Sequence, residues 1–155
     1  MPVTSRDRGA AILIKGAAAA RFKIKVGVLG NAEHKSADGQ PQGITIAQLA
    51  EIHELGLGVP ERSFLRAWAE ANEEQIQNDL RAALRKILAG KLTPEQAAKI
   101  LGVRFVAGVQ SFISDGKVMP PLAQATIDRK GSSTPLLDTN QLRSAITFAV
   151  ESLLR

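Results

Sequence analysis

Leu88-Ala89-Gly90-Lys91-Leu92-Thr93-Pro94-Glu95-Gln96 divides the longest regular stretch of the chain in two. Gly90 suits a helix end, because glycine enters the left-handed region without steric cost. Thr93 is an N-cap residue and Pro94 takes the first helical position, where its missing N–H is not needed. Gln96 then completes a capping box. Reading backwards, a helix runs from Ser63, as N-cap, to Ala89, with Leu65, Trp68, Ile76, Leu80, Leu84 and Ile87 on one stripe. It is expected to be the longest in the chain. Reading forwards, a second helix runs from Thr93 to Gly116, with Ala97, Leu101, Phe105 and Phe112 on its apolar face. Two amphipathic helices joined by a short Gly-containing link form an antiparallel pair, which can cover a sheet.

A strand for that sheet lies upstream, where Phe22, Ile24, Val26 and Val28 alternate with Lys23, Lys25 and Gly27. Asn31 to Gly43 carries almost no apolar residue and is expected to be a mobile loop. Thr45 and Gln48 make another capping box for a short helix over Ile46 to Leu55, which Gly56 caps and Gly58 and Pro60 end. Further short helices are expected over Asp7 to Ala20 and Leu122 to Arg129, and a loop over Gly131 to Asn140. The last stretch fits both periods, but its β-branched and aromatic residues favour a strand from Ser144 to Glu151. The sheet needs one more strand, for which no segment stands out. The fold class is α+β: a small antiparallel sheet flanked by two long amphipathic helices and shorter ones.

The 155 residues, 45% of them apolar, suffice for one core and a single domain over 1–155. There is no cysteine, hence no disulfide and no thiolate ligand or nucleophile. Lys15 and Gly16 cut short the apolar run Ala10 to Ile14, well below the roughly 20 residues of a membrane span. A soluble protein made in the cytoplasm is expected, with no membrane partner. The net charge of +5 and pI near 9.9 invite a nucleic-acid reading, since clustered cations displace phosphate counterions. The cations are dispersed along the chain, however, and five Phe, one Trp and no Tyr give few platforms for stacking on bases.

Catalytic motifs fail one by one. His53-Glu54 lacks the second histidine of a zinc protease helix, since position 57 is Leu, and His34 lies in the expected loop. Lys130-Gly131-Ser132 has the wrong order for a phosphate loop. Ser114 and Lys117 match a Ser-x-x-Lys spacing only across Gly116, a helix end. Thr93 to Leu101 could open a helix-turn-helix, but the flanking helices are too long for its compact core. The expectation is a protein that is not an enzyme, with no cofactor and no metal.

Two phrases remain. Ile52-His53-Glu54-Leu55-Gly56 runs into Val59-Pro60-Glu61-Arg62-Ser63-Phe64-Leu65-Arg66. Downstream stands Lys130-Gly131-Ser132-Ser133-Thr134-Pro135-Leu136-Leu137-Asp138-Thr139-Asn140-Gln141-Leu142. Together they resemble the neck and tail-completion proteins of tailed bacteriophages, the virion morphogenesis family. The first phrase there reads Ile-His-Glu, an aromatic, Gly, a spacer and Pro-x-Arg-x-Phe-Leu, which Ile52, His53, Glu54, Gly56, Pro60, Arg62, Phe64 and Leu65 match. The second reads Lys-Gly, then Pro-Leu-x-Asp-Thr-Gly-x-Leu and a terminal strand. Lys130, Gly131, Pro135, Leu136, Asp138, Thr139 and Leu142 match it, as do Ser144 and Ile146. Leu55 replaces the aromatic and Asn140 the glycine, and Asn is the side chain most tolerant of positive φ.

The resemblance implies an α+β structural component of the virion, in the neck or upper tail, made in the host cytoplasm and needed for head–tail joining or tail completion. Its implied partners are other neck, connector and tail proteins and further copies of itself in a ring, with non-specific contact to passing DNA. No catalytic residue carries over. The alternative is a basic DNA-associated phage or host factor. Physically the phrases read as scaffold: Pro60 fixes a helix entry, Phe64 and Leu65 anchor it, and Glu54, Arg62 and Asp138 either hydrogen-bond across the loops or stand as three solvated charges of little energetic weight.

Overall fold

The computed structural model describes residues 22–30, 32–35, 41–121, 128 and 140–152. The fold is α+β. Strand β1 (Phe22–Val28) pairs antiparallel with β4 (Ile146–Ser152), in a register running from Phe22 opposite Ser152 to Val28 opposite Ile146. The alternation seen in the sequence decides the faces: Lys23 and Lys25 are exposed, while Phe22, Ile24 and Val26 pack on the core. Lys25 Nζ lies 2.5 Å from Glu151 Oε1 across the ribbon. The hydrogen bond from Lys25 holds the Glu151 carboxyl below its usual range. What this exposed pair adds is therefore present above the unfolded-state pKa and fades as pH falls through the folded one.

The expected loop over 31–43 is corrected by a second two-stranded antiparallel sheet, β2 (Glu33–Lys35) with β3 (Pro41–Thr45). Local composition hides these strands because much of their support is distant. Gln141 accepts from Lys35 N at 2.9 Å and donates through Nε2 to Lys35 O at 2.7 Å, so its side-chain amide serves β2 as a strand neighbour would. The strand missing from the sequence reading joins neither a third nor a fourth position: each sheet has two strands among the described residues.

Helix α1 (Ile46–Leu55) begins at Thr45 with both halves of the capping box formed and ends at Gly56, φ 68°. The helix expected from Ser63 to Ala89 is two helices, α2 (Leu65–Ala71) and α3 (Glu73–Leu88). The break is at Asn72, which leaves helical geometry at φ −120°, ψ 18° while its N–H and its side-chain Nδ2 both donate to Trp68 O, at 3.0 and 2.8 Å. The longest helix is instead α4 (Pro94–Ser114), 21 residues with its Thr93 capping box formed. As expected, α3 and α4 pack together, through Ala83, Ile87, Ala97, Leu101 and Phe105. Leu80 and Leu84, assigned to the buried stripe, are 41% and 42% exposed. A short helix, α5 (Gln141–Ser144), precedes β4 and takes the first residue of the expected strand. The expected helices over Asp7 to Ala20 and Leu122 to Arg129 lie outside the described residues, apart from Asp128, which is helical. So does the expected loop over 131–139.

α4 is the centre of the molecule. Leu101, Phe105, Val109 and Ile113 point inward over both strands of the ribbon, and two glycines permit close approach. A Cβ on Gly102 would enter the Phe148 ring, and one on Gly108 would lie 2.7 Å from Trp68 Cζ2. By length and composition α4 could cross a membrane, but its inward face is packed against the sheet. Its outward face is less polar than an amphipathic helix requires, with Ile100 and Val103 at 55% and 60% exposure.

Gly102→Ala should cost roughly 1–3 kcal/mol through overpacking against Phe148. Thr93→Ala, which removes only a cap, should cost about 1 kcal/mol. Urea midpoints measured on the parent and the two variants check both values, and a Gly102→Ala midpoint equal to the parent's would mean that the ribbon yields freely to the added methyl.

Candidate functional site

The first phrase folds into a knot between α1 and α2. Gly56 turns the chain, its N–H and that of Leu57 both donating to Ile52 O, the latter at 2.9 Å. A Cβ at Gly56 would meet Glu61 backbone at 3.0 Å, so both φ and space require glycine there. The chain returns past exposed Pro60, and Arg62 N donates to His53 O at 2.8 Å. His53 stands half-buried in the last turn of α1.

Glu54 closes the knot. Its Oε2 accepts from Phe64 N at 2.8 Å and Leu65 N at 3.0 Å, and its Oε1 from Arg66 N at 2.9 Å. These donors are N–H groups that the first turn of α2 cannot satisfy itself, and a carboxylate there also complements the helix dipole. Ser63, the expected N-cap, contributes Oγ as acceptor for Ala67 N at 3.1 Å. Arg66 and Glu61 form an exposed ion pair beside it.

Arg62 is 8% exposed, and its Nε donates to Pro120 O at 3.1 Å, tying the knot to the segment after α4. The expected loop network thus takes a different form: Glu54 and Arg62 each hold backbone. Asp138, its third member, lies outside the described residues, as do Gly131, Pro135, Leu136 and Thr139. Three residues of the second phrase are placed: Gln141, which bonds the Lys35 backbone, and two that match the pattern. Asn140 adopts φ 56°, the left-handed conformation its glycine-like position demands, and Leu142 is buried. Leu142 belongs to the cluster that contains Phe64, Ile46, Ala50, Val109 and Ile113, with Leu65 packed against it.

Chemically this arrangement holds backbone. Both carboxylate oxygens of Glu54 accept from main-chain N–H groups, and Phe64 is fully buried. Among the described residues no group of three His, Asp or Glu side chains converges as a metal site. The knot does present apolar surface: Leu55 and Leu57 are each 53% exposed and Val59 36%. Gln141 and Asn72 were not singled out by sequence. Asn72 is a known competitor for helix carbonyls, whereas Gln141 acts on a strand far away in sequence and leaves no local signal. No protein-family model, curated protein or solved structure matches the chain.

Glu54→Ala should destabilise the fold by about 2 kcal/mol or more, because three donors lose a charged acceptor at once. Glu54→Gln should lose less, keeping one carbonyl oxygen. Arg62→Ala should also lower the melting temperature, leaving Pro120 O without its donor. Unchanged melting of both alanine variants would show that the knot contributes no stability.

Proposed function

We propose that the protein is a non-enzymatic structural component of a tailed-phage virion, acting at the neck or upper tail in head–tail joining or tail completion. What carries the reading is that the described residues of the two phrases meet in one core cluster, through Phe64, Leu65 and Leu142, while Glu54 and Arg62 spend their polar groups on backbone. Phrases that a resemblance picks out for shaping a fold are of the kind a scaffold needs. The exposed Leu55, Leu57 and Val59 beside them offer apolar area of the sort that assembly buries. Partners are then neck, connector and tail proteins, and further copies in a ring.

A second reading, a basic DNA-associated factor, is favoured by one observation. The exposed residues Arg81, Arg85, Lys86 and Lys91 follow one another with no carboxylate between Leu80 and Pro94. Such a run can sit against phosphates, in a free complex or along DNA passing through a connector.

The deciding experiment mixes the purified protein with heads and tails from a particle that lacks it. Restored joining, with the protein retained in the joined particle, is the expected result. If joining stays absent while the protein is retained on DNA at low salt and released as salt rises, the second reading replaces the first.

A further inference from the structure

The apolar stripe of α3 is only partly used inside the molecule. Leu80 and Leu84 stand 41% and 42% exposed, one helical turn or about 6 Å apart along the axis. With Phe22 of β1 and with Ala83 and Ile87 they line an open cleft of about 250 Å³. Arg81 and Arg85 each follow one of these leucines, so a basic row runs beside the apolar row, turned from it by roughly 100°. Lys86 and Lys91 carry the positive charge on to the link between α3 and α4. Five other cations, on β1, α2, α4 and the turn after it, each hold a carboxylate. Among the described residues none of these four does, and Arg81 bonds the neutral side chains of Gln77 and Asn78. The carboxylates nearest in sequence are engaged or distant. Asp79 is held by Arg104 and Glu95 by Lys99. Glu73 and Glu74 stand about two turns before Arg81, roughly 10 Å along the axis. The apolar cleft beside Gly27 has the opposite sign, since Glu51 and Glu54 border it.

We propose that the Leu80–Leu84 face of α3 is a docking site for an amphipathic helix of another protein, with an apolar stripe flanked by Glu or Asp. The two rows lie side by side, and a helix presents its own rows in the same way. Its stripe covers Leu80, Leu84 and Phe22, while the flanking carboxylates meet Arg81 and Arg85, as flanking charges do between paired helices. An extended strand sends alternate side chains to opposite faces. With its apolar residues in the cleft, its carboxylates would point away from the protein. Duplex nucleic acid would satisfy the arginines but set phosphates against two leucines. The same face of a second copy would bring cations against cations. The chain before Phe22 is itself basic, with Arg6, Arg8, Lys15 and Arg21 against Asp7, and is repelled for the same reason. The inference does not use the particle reading, and it gives to a protein partner the cations that the DNA reading gives to phosphates.

Fluorescence anisotropy of labelled peptides, titrated with the full-length protein, tests the site in the absence of any particle. The probe is a helix-forming peptide of about 18 residues built from Leu, Glu and Ala, with Leu at helical spacing and Glu on either side of that stripe. One control carries Lys in place of Glu, and another has proline at its centre, which breaks the helix. The Glu peptide should bind at least about tenfold more tightly than either control, with an affinity that falls as salt rises. Arg81→Glu combined with Arg85→Glu should reverse the preference between the Glu and Lys peptides. Leu84→Asp, at an exposed position, should weaken binding at least about tenfold while leaving the melting temperature within a few degrees of the parent. Leu55→Asp, at the cleft bordered by Glu51, should leave binding unchanged. Equal binding of the three peptides, or binding of none, overturns the proposal. So does duplex DNA held through Arg81 and Arg85 that the Glu peptide fails to displace, which would assign the cations to phosphates. A native mass that doubles with concentration in the parent but not in Leu84→Asp would make a second copy the occupant and overturn it as well.

Discussion

The ring of Phe148 lies against the bare backbone of Gly102, and the rest of the molecule is arranged around that contact. β1 and β4 come from opposite ends of the described chain, and a ribbon of two strands is at best marginal by itself in water. It persists because α4 lies close enough to bury Phe22, Ile24 and Val26 from one strand and Phe148 from the other. Any side chain at 102 larger than hydrogen would hold the helix away and dilute contacts along both strands. The same logic explains why Ala97 and Ala98 are fully buried: small residues bring α3 and α4 together and let them cover the inward face of a short ribbon. Close approach is obtained at the cost of area. Alanine and glycine bury little apolar surface, so the net stability falls to a few large side chains, chiefly Phe64, Phe105 and Ile113.

Phe64 can serve as such an anchor only if its backbone is fixed, and that is what Glu54 does. A carboxylate on α1 that caps α2 makes the two helices one unit, since the cap cannot form unless the Gly56 turn brings the chain back in a single way. Arg62 extends the constraint to the segment following α4 through Pro120. The knot therefore fixes a long-range arrangement by local means: one turn, one cap and one buried guanidinium. Desolvating that guanidinium is costly unless it is well bonded, which makes the position sensitive out of proportion to the size of the contact.

What could be read from the sequence is what short-range physics dictates. Both capping boxes formed as read, at Thr45 and Thr93, because each is decided within four residues. Gly56 took the left-handed cap and Asn140 the positive φ, because so few residue types can. β1 followed from strict alternation, and the final strand from its β-branched and aromatic content. The errors share a cause as well. β2 and β3 read as loop because the segment is almost without apolar residues, and the bonds that Gln141 makes to the β2 backbone at Lys35 are concealed by sequence distance. A single long helix from Ser63 to Ala89 overlooks Asn72, whose φ of −120° and side-chain bond to Trp68 O divide it. Leu80 and Leu84 fall on a stripe drawn through one continuous helix, whereas α3 is a separate helix whose buried side chains are Ala83 and Ile87. Of the scaffold phrases, the first could be interpreted as structure, but the partners of Glu54 and Arg62 could not, since both are main-chain atoms and carry no residue identity.

The exposed apolar residues are not scattered at random. Leu29, Leu55, Leu57 and Val59 lie at or near the turn that the knot builds, and Ile100 and Val103 on the outward side of α4. A small core rich in alanine leaves little room to hide more Leu and Val, so some apolar excess is expected on geometric grounds alone. That account suits Ile100 and Val103, which occupy the side of a helix whose other side is full. It suits less well Leu55, Leu57 and Val59, which stand at the end of α1 and in the turn after it, more than a third exposed, where a helix ordinarily closes on polar residues. Apolar residues retained where packing does not need them, on a turn made rigid by Glu54 and Arg62, form a surface fixed in shape before any partner arrives. Fixing it in the fold would remove an ordering cost from any association made through it, since a surface that is already rigid has less conformational entropy to lose.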